Sequence, residues 1–200
     1  MKNVLLKIVP FLLIGFAPFA LSEESVNLDR VTLSHVQIEG GDATGESLGF
    51  TSSFGENQQW VFGASATWAD AEEDGIGASS DQYQLGFGYA TYGENSATIL
   101  SIGGGNADTD FCISGFGCGS DSSSFIFTGL DYIYNATDAI ELRAGLTAVN
   151  FTGSDVDSST SVMLDVGANF YVSDNVAFTL EFGADDDDTT AASIGLLYRF

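Results

Sequence analysis

Apolar and polar residues alternate at every second position along most of this chain, and the clearest case is its last stretch, TTAASIGLLYRF. The last four residues on one face of this stretch are apolar: Ile194, Leu196, Tyr198 and Phe200. The other side carries mostly small residues and Arg199. Because the side chains of a β-strand point alternately to its two faces, the pattern predicts a strand with one apolar face.

The same alternation predicts ten strands in the chain. They span residues 30–39, 47–54, 60–69, 82–91, 96–104, 124–134, 140–151, 161–172, 176–183 and 190–200. Most of these lengths are close to the ~9–11 residues that a tilted strand needs to cross a bilayer. No stretch after residue 22 has an apolar stripe of helical period, so an all-β fold is expected.

The connections between the predicted strands fall into two alternating classes. The odd connections are longer and acidic, as in DAEEDGIGASSD and NADTDFCISGFGCGSDSS, whereas the even ones are short and follow an aromatic residue. Long loops at one end and tight turns at the other are typical of a transmembrane barrel. The sequence therefore predicts a closed antiparallel up-and-down transmembrane β-barrel of about ten strands. Long acidic loops face outside and short turns face the periplasm.

Charged residues in the last five predicted strands all fall on the face opposite the apolar one. They are Asp131, Glu141, Arg143, Asp165, Glu181 and Arg199. A basic residue on the lipid face near the bilayer midplane costs roughly 2–4 kcal/mol, so these side chains are expected to line the lumen. Phe125, Phe127 and Tyr171 fall on the same face and favour a filled or narrow lumen. A soluble sheet protein would show the same period with its apolar face turned inward.

The first residues predict a secretory signal peptide at 1–22, followed by a barrel domain at 23–200. Lys2 and Lys7 precede an apolar run that is short for a spanning helix and contains two prolines. After cleavage the chain keeps three basic residues, Arg30, Arg143 and Arg199, together with all 28 Asp and Glu residues. Its formal charge is therefore 3 − 28 = −25. Such a balance excludes nucleic acid as a partner, because phosphate binding needs a basic surface.

The whole chain after the signal peptide resembles the small ten-stranded outer-membrane β-barrel proteins of Gram-negative bacteria, a group of porin-family and outer-membrane β-barrel domains. The likeness lies in the spacing and in stretches such as QYQLGFGYA, FTGLDYIYNATDAIEL, ANFYVSDNVAFTLEF and SIGLLYRF. Asp131 stands where that family often has a basic residue. The resemblance implies the cell outer membrane as location, with outer-membrane lipid and lipopolysaccharide as partners. It also implies that the barrel-assembly machinery reads the strand of Ile194, Leu196, Tyr198 and Phe200.

Cys112 and Cys118 lie in one predicted loop of an exported chain, so a disulfide between them is expected. Acidic clusters occur near residues 72–74, 108–110, 155–157 and 185–188. None has the spacing of a calcium loop, and they are interpreted as a solvated rim that divalent cations bridge to lipopolysaccharide. No metal site, cofactor site or catalytic residue is predicted.

His35 is the single histidine, and general-base catalysis needs a positioned partner within hydrogen-bond reach. The leading hypothesis is a non-catalytic integral outer-membrane barrel, structural or narrow and porin-like. One alternative is an outer-membrane barrel enzyme, either an omptin-like protease or a lipid-A-modifying hydrolase. The other is a secreted soluble β-barrel that binds a small ligand.

Overall fold

The computed structural model describes residues 26–39, 43–73, 76–115, 117–153, 159–186 and 189–200, so the predicted signal peptide lies outside the described residues. Ten strands make up this part of the chain. They are β1 Arg30–Glu39, β2 Ala43–Phe54, β3 Trp60–Glu73, β4 Ile76–Tyr92, β5 Ser96–Ile113, β6 Gly117–Thr137, β7 Ile140–Gly153, β8 Ser159–Tyr171, β9 Val176–Asp185 and β10 Thr190–Arg199.

Each strand pairs antiparallel with its neighbours in the sequence, and β1 pairs with β10 to close the sheet. The predicted closed up-and-down barrel of ten strands is therefore confirmed. Closure matters in lipid because it gives every backbone N–H and C=O of the sheet a partner. No helix among the described residues is long and apolar enough to cross a membrane.

The outward face of the barrel carries a continuous apolar band. Leu85, Leu100 and Leu164 are 55–65% exposed, although such residues are normally buried in a soluble core. Edge-to-face aromatic pairs stand at both margins of this band on β3 and β4. Trp60 and Tyr89 lie near the turns, and Trp68 and Tyr83 lie near the opposite end. Aromatic girdles of this kind mark the two membrane interfaces of a barrel.

The predicted long acidic loops require a correction. β4 begins at Ile76 instead of residue 82, β5 continues to Ile113 instead of residue 104, and β6 begins at Gly117 instead of residue 124. Most residues assigned to the longest loop are thus paired strand residues. The alternation of apolar residues ends near the outer aromatic margin of the band. Backbone pairing of β4, β5 and β6 continues beyond it, because pairing does not depend on apolar side chains.

The inner wall combines small and large side chains in neighbouring strands. Gly103 and Gly105 on β5 pair in register with Phe127 and Phe125 on β6. A methyl group added at either glycine would overlap the facing phenyl ring. The glycines therefore give the two rings the space that they occupy inside the barrel.

Candidate functional site in the barrel lumen

The turn-side end of the lumen contains the segment that precedes β1, residues 26–29. Val26 and Leu28 are 0% and 1% exposed, and they form an apolar cluster with inward side chains of β3 to β6, including Val61, Ile99 and Ile133. This inward segment, named here the N-terminal plug, fills the mouth of the barrel at the end where the short turns lie.

Hydrogen bonds that Asp29 accepts hold the N-terminal plug to the wall. Its carboxylate accepts bonds from the hydroxyl of Ser52 and the backbone N–H of Ser53, both at 2.9 Å. The Asn27 side chain accepts the backbone N–H of Asp29 at 2.8 Å, and the Asp29 carbonyl accepts the N–H of Phe200 at 3.0 Å. The plug is therefore tied to β2 and to the last residue of the chain.

A layer of charged side chains lies in the lumen beside the turn-side ends of β1, β7 and β10, and Glu141 is at its centre. This fully buried carboxylate accepts hydrogen bonds from Arg30 at 3.1 Å, from Arg199 at 2.7 Å and from the Asn169 amide at 2.5 Å. The guanidinium of Arg199 lies 3.8 Å from the centre of the Tyr171 ring, a cation–π contact. Glu141 thereby links β7 to both strands of the closing seam, β1 and β10.

A second ion pair continues the layer. Arg143 on β7 donates to Glu181 on β9 at 2.8 Å, and Ser193 on β10 donates to the other oxygen of Glu181 at 3.4 Å. Asp131 and Asp165 interact electrostatically with Arg143. Buried charges are stable only when they are paired, and the Arg30–Glu141, Arg199–Glu141 and Arg143–Glu181 pairs meet this condition within the layer.

The outer part of the lumen is apolar again. Val36 and Ile38 of β1 cluster there with Phe125, Phe127, Val149, Phe151 and Met163 from β6 to β8. These side chains are 7% exposed or less. An apolar layer therefore lies on the outer side of the charged network, and the N-terminal plug lies at the turn-side end against β3 to β6.

The structure places all six sequence-predicted charges on the inner wall of the barrel. Asp131, Glu141 and Arg143 are buried, Asp165 and Glu181 are partly buried, and Arg199 is largely covered by Glu141 and Tyr171. Sequence reasoning missed the N-terminal plug, although Val26 and Leu28 extend ahead of β1 the period-two pattern of buried residues that includes Arg30. It also missed the central position of Glu141, because pattern alone gives the face of a residue and not its partners.

The predicted assembly strand lies at the closing seam. Ile194, Leu196, Tyr198 and Phe200 all point outward and are 49–56% exposed. The ring of Phe200 stacks against Phe50 of β2 with centroids 6.1 Å apart.

His35 lies on the outer surface of β1, away from the lumen. Its Nδ1 is 2.9 Å from a carboxylate oxygen of Glu46 on β2, and the two side chains are 51% and 60% exposed. Among the described residues, no group of three or more His, Cys, Asp or Glu side chains is placed to hold a metal ion. Asp155, Asp157, Asp187 and Asp188 lie outside the described residues.

The disulfide prediction is confirmed: Cys112 and Cys118 are bonded to each other and are register partners on β5 and β6. Beyond the strands, Asp186 ties the β9–β10 connection to β8. Hydrogen bonds from the Val162 N–H and the Ser161 hydroxyl lower the pKa of this exposed carboxyl from its ordinary value.

Comparison with known proteins supports the fold. No protein-family model and no curated protein matches the chain. The β domain of the Bordetella autotransporter BrkA is similar in structure with a TM-score of 0.54 and 14% identity, covering 86% of this chain and 98% of that one. The outer-membrane protease OmpT of Escherichia coli gives 0.50 and 11%, covering 93% and 100%. The KdgM porin gives 0.49 and 11%, covering 86% and 99%. At 14% and 11% identity, the likeness to the BrkA domain and to OmpT shows the fold alone, which is a small barrel of the outer-membrane type.

Proposed function

We propose that this chain is a structural, non-catalytic integral outer-membrane protein whose lumen is closed at rest. The observation that carries the proposal is the burial of inward side chains at the turn-side end of the lumen and farther along it. Leu28 and Glu141, both at the turn-side end, and Val149 in the outer apolar layer are each 1% exposed or less. Barrels of about this size hold little more than their own inward side chains.

The membrane location follows from the inverted distribution of side chains. Apolar residues face outward between two aromatic margins, and the charged network lies inside, which is the arrangement of a barrel in lipid. A soluble barrel would instead bury its apolar face. The predicted signal peptide directs the chain to the cell envelope, where lipopolysaccharide and outer-membrane lipid surround it. Divalent cations bridge the acidic outer rim to lipopolysaccharide phosphates.

The enzyme alternative is weakened by the position of His35. A protease or lipid hydrolase needs a nucleophile or activated water beside its base. The outward register neighbours of His35 are Leu33 and Gln37 on its own strand and Ile194 on β10. Glu46 supplies a carboxylate, but none of these three neighbours supplies a nucleophile.

Single-channel recording in a planar bilayer tests the closed lumen. The purified barrel is expected to insert without stepwise conductance, while a general porin in the same bilayer serves as the positive control for detection. Regular current steps that scale with salt concentration would overturn the structural assignment and favour the narrow porin-like function.

A further inference from the structure

Two glycines lie diagonally across β6 and β7 on the inner wall of the barrel. Gly129 pairs in register with Thr147, and Gly145 pairs with Asp131, which lies one inward position nearer the turns. Neither glycine has a side chain, so neighbouring side chains can turn into the space above them. This part of the wall, named here the glycine recess, lies at the outer edge of the charged layer.

Oxygen atoms from three strands converge above the first of these glycines, Gly129. A methyl group added there would lie 2.7 Å from Ser101 Oγ, 3.4 Å from Thr147 Oγ1 and 3.8 Å from Asp131 Oδ2. Ser101 and Thr147 are the register partners of Gly129 on β5 and β7. The recess therefore has two hydroxyl oxygens and one carboxylate oxygen close to a single point.

The second glycine brings another carboxylate towards that point. Gly145 lies between two aspartates, since it pairs with Asp131 on β6 and with Asp165 on β8. A methyl group at Gly145 would overlap the carboxylate of Asp165, with its Oδ2 at 2.7 Å, so this side chain leans across β7 towards β6. The two carboxylates are close enough to interact electrostatically.

The charge of the layer is not balanced by its own residues. In the described part of the chain, the salt bridges of the lumen join the three arginines to Glu141 and Glu181 and include neither Asp131 nor Asp165. Three guanidinium groups and four carboxylates give a formal charge of 3 − 4 = −1. Asp131 is 7% exposed, and none of the described residues donates a hydrogen bond to it. A carboxylate buried in this way needs a counter-charge.

The oxygen ligands and the charge together favour a monovalent metal cation. The four side chains around the recess supply only carboxylate and hydroxyl oxygens, which suit hard cations rather than transition metals. One positive charge brings the layer to neutrality. A divalent cation would instead leave an excess positive charge in a buried layer, which is costly.

We propose that the glycine recess binds one alkali-metal cation. The carboxylates of Asp131 and Asp165 and the hydroxyl groups of Ser101 and Thr147 coordinate it. The ion links β5, β6, β7 and β8 where the glycines provide no side-chain contact. This site goes beyond the structural role proposed above and requires only the folded barrel, so it stands or falls independently of the conductance experiment.

Reversible urea unfolding in phosphatidylcholine vesicles tests the site, because a ligand that binds only the folded state raises stability with its concentration. Sodium chloride replaces N-methylglucamine chloride at constant ionic strength, so that a small cation is exchanged for one too bulky for the recess. For a dissociation constant of about 10 mM, about 100 mM sodium should raise the equilibrium constant for folding about tenfold.

Variants of the coordinating side chains connect this effect to the recess. Asp131→Asn and Asp165→Asn should each remove the dependence on sodium. Thr147→Val keeps the charge of the layer and removes one oxygen, so it should shift the dependence to higher sodium concentration even if the aspartate variants do not fold. Asp81→Asn makes the same change at an exposed carboxylate on β4 and should keep the full dependence.

Four outcomes would overturn the proposal. Stability that does not change with sodium at constant ionic strength would contradict a bound cation. A sodium effect that persists in both asparagine variants and in Thr147→Val would place the ion elsewhere. A larger effect of calcium than of sodium, lost in the same variants, would make the recess a divalent site. A gain in stability on acidification without any effect of sodium would assign a shared proton to the two carboxylates.

Discussion

At the scale of single residues, Glu141 has the most connected side chain of the lumen. It is fully buried, and it pairs with two guanidinium groups from the strands that close the barrel. Removing one partner of a buried ion pair is costly, because the remaining charges have been taken out of water without compensation. Arg30 depends on Glu141 most, since its own side chain is 0% exposed.

Replacing Glu141 with Gln keeps the shape of the side chain and removes its charge. We expect the free energy of unfolding to fall by about 3–5 kcal/mol, the usual cost of breaking a buried pair from one side. Reversible urea unfolding in lipid vesicles measures this change. Glu94→Gln, in the exposed β4–β5 turn, is the control and should leave stability unchanged. Equal stability of both variants would show that the network does not hold the seam.

At the scale of elements, the N-terminal plug stabilises the barrel although it is only four residues long. Its four residues contain two fully buried apolar side chains and the carboxylate that binds β2. Full burial of an aliphatic side chain contributes about 1.5–3 kcal/mol. The plug therefore contributes to stability as well as filling the mouth.

Leu28→Asp tests the plug because it places a carboxylate in an apolar cluster. We expect a loss of about 3 kcal/mol of stability, close to the burial energy of the leucine, as the segment leaves the lumen. A cysteine at Val26 reports the movement. It should resist a membrane-impermeant maleimide in the native plug and react once Leu28→Asp is added.

A cysteine at Ser173, in the exposed β8–β9 turn, controls for access of the reagent and should react in both backgrounds. Rapid labelling of the Val26 cysteine in the otherwise unchanged barrel would contradict a docked plug.

At the scale of the whole molecule, closure depends on β10, which pairs with β9 and with β1. Phe200 extends this seam. Its backbone N–H binds the carbonyl of Asp29, and its ring stacks on Phe50. The resemblance to outer-membrane barrels adds the proposal that the assembly machinery recognises Ile194, Leu196, Tyr198 and Phe200 on this strand.

Phe200→Ala is expected to reduce the folded, heat-modifiable form in the outer membrane and to leave unfolded chain in the periplasm. Phe54→Ala is the matched control, because this ring ends β2 on the same side of the barrel and is exposed to a similar extent, 47% against 53%. Fractionation followed by gel mobility with and without heating measures both. Normal assembly of the Phe200 variant would argue against recognition of this residue.

The period-two pattern by itself determined the all-β class, the ten strands, their alternating short turns and the face on which the charges of the last five strands fall. These properties are local, since alternation along one strand sets which side chains share a face. The bounds of β1 followed directly, whereas the outer parts of β4 to β6 did not. Their Ser, Thr, Gly and Asp residues have no apolar alternation and are ordered by pairing with neighbours.

Only the tertiary structure decided which inward residues meet. Arg30 and Glu141 are 111 positions apart, and closure of the sheet brings them to 3.1 Å. The N-terminal plug likewise depends on several strands that lie side by side. The sequence therefore specifies the wall of the barrel through local alternation. The contacts between side chains inside the lumen arise from register and closure, which are properties of the whole sheet.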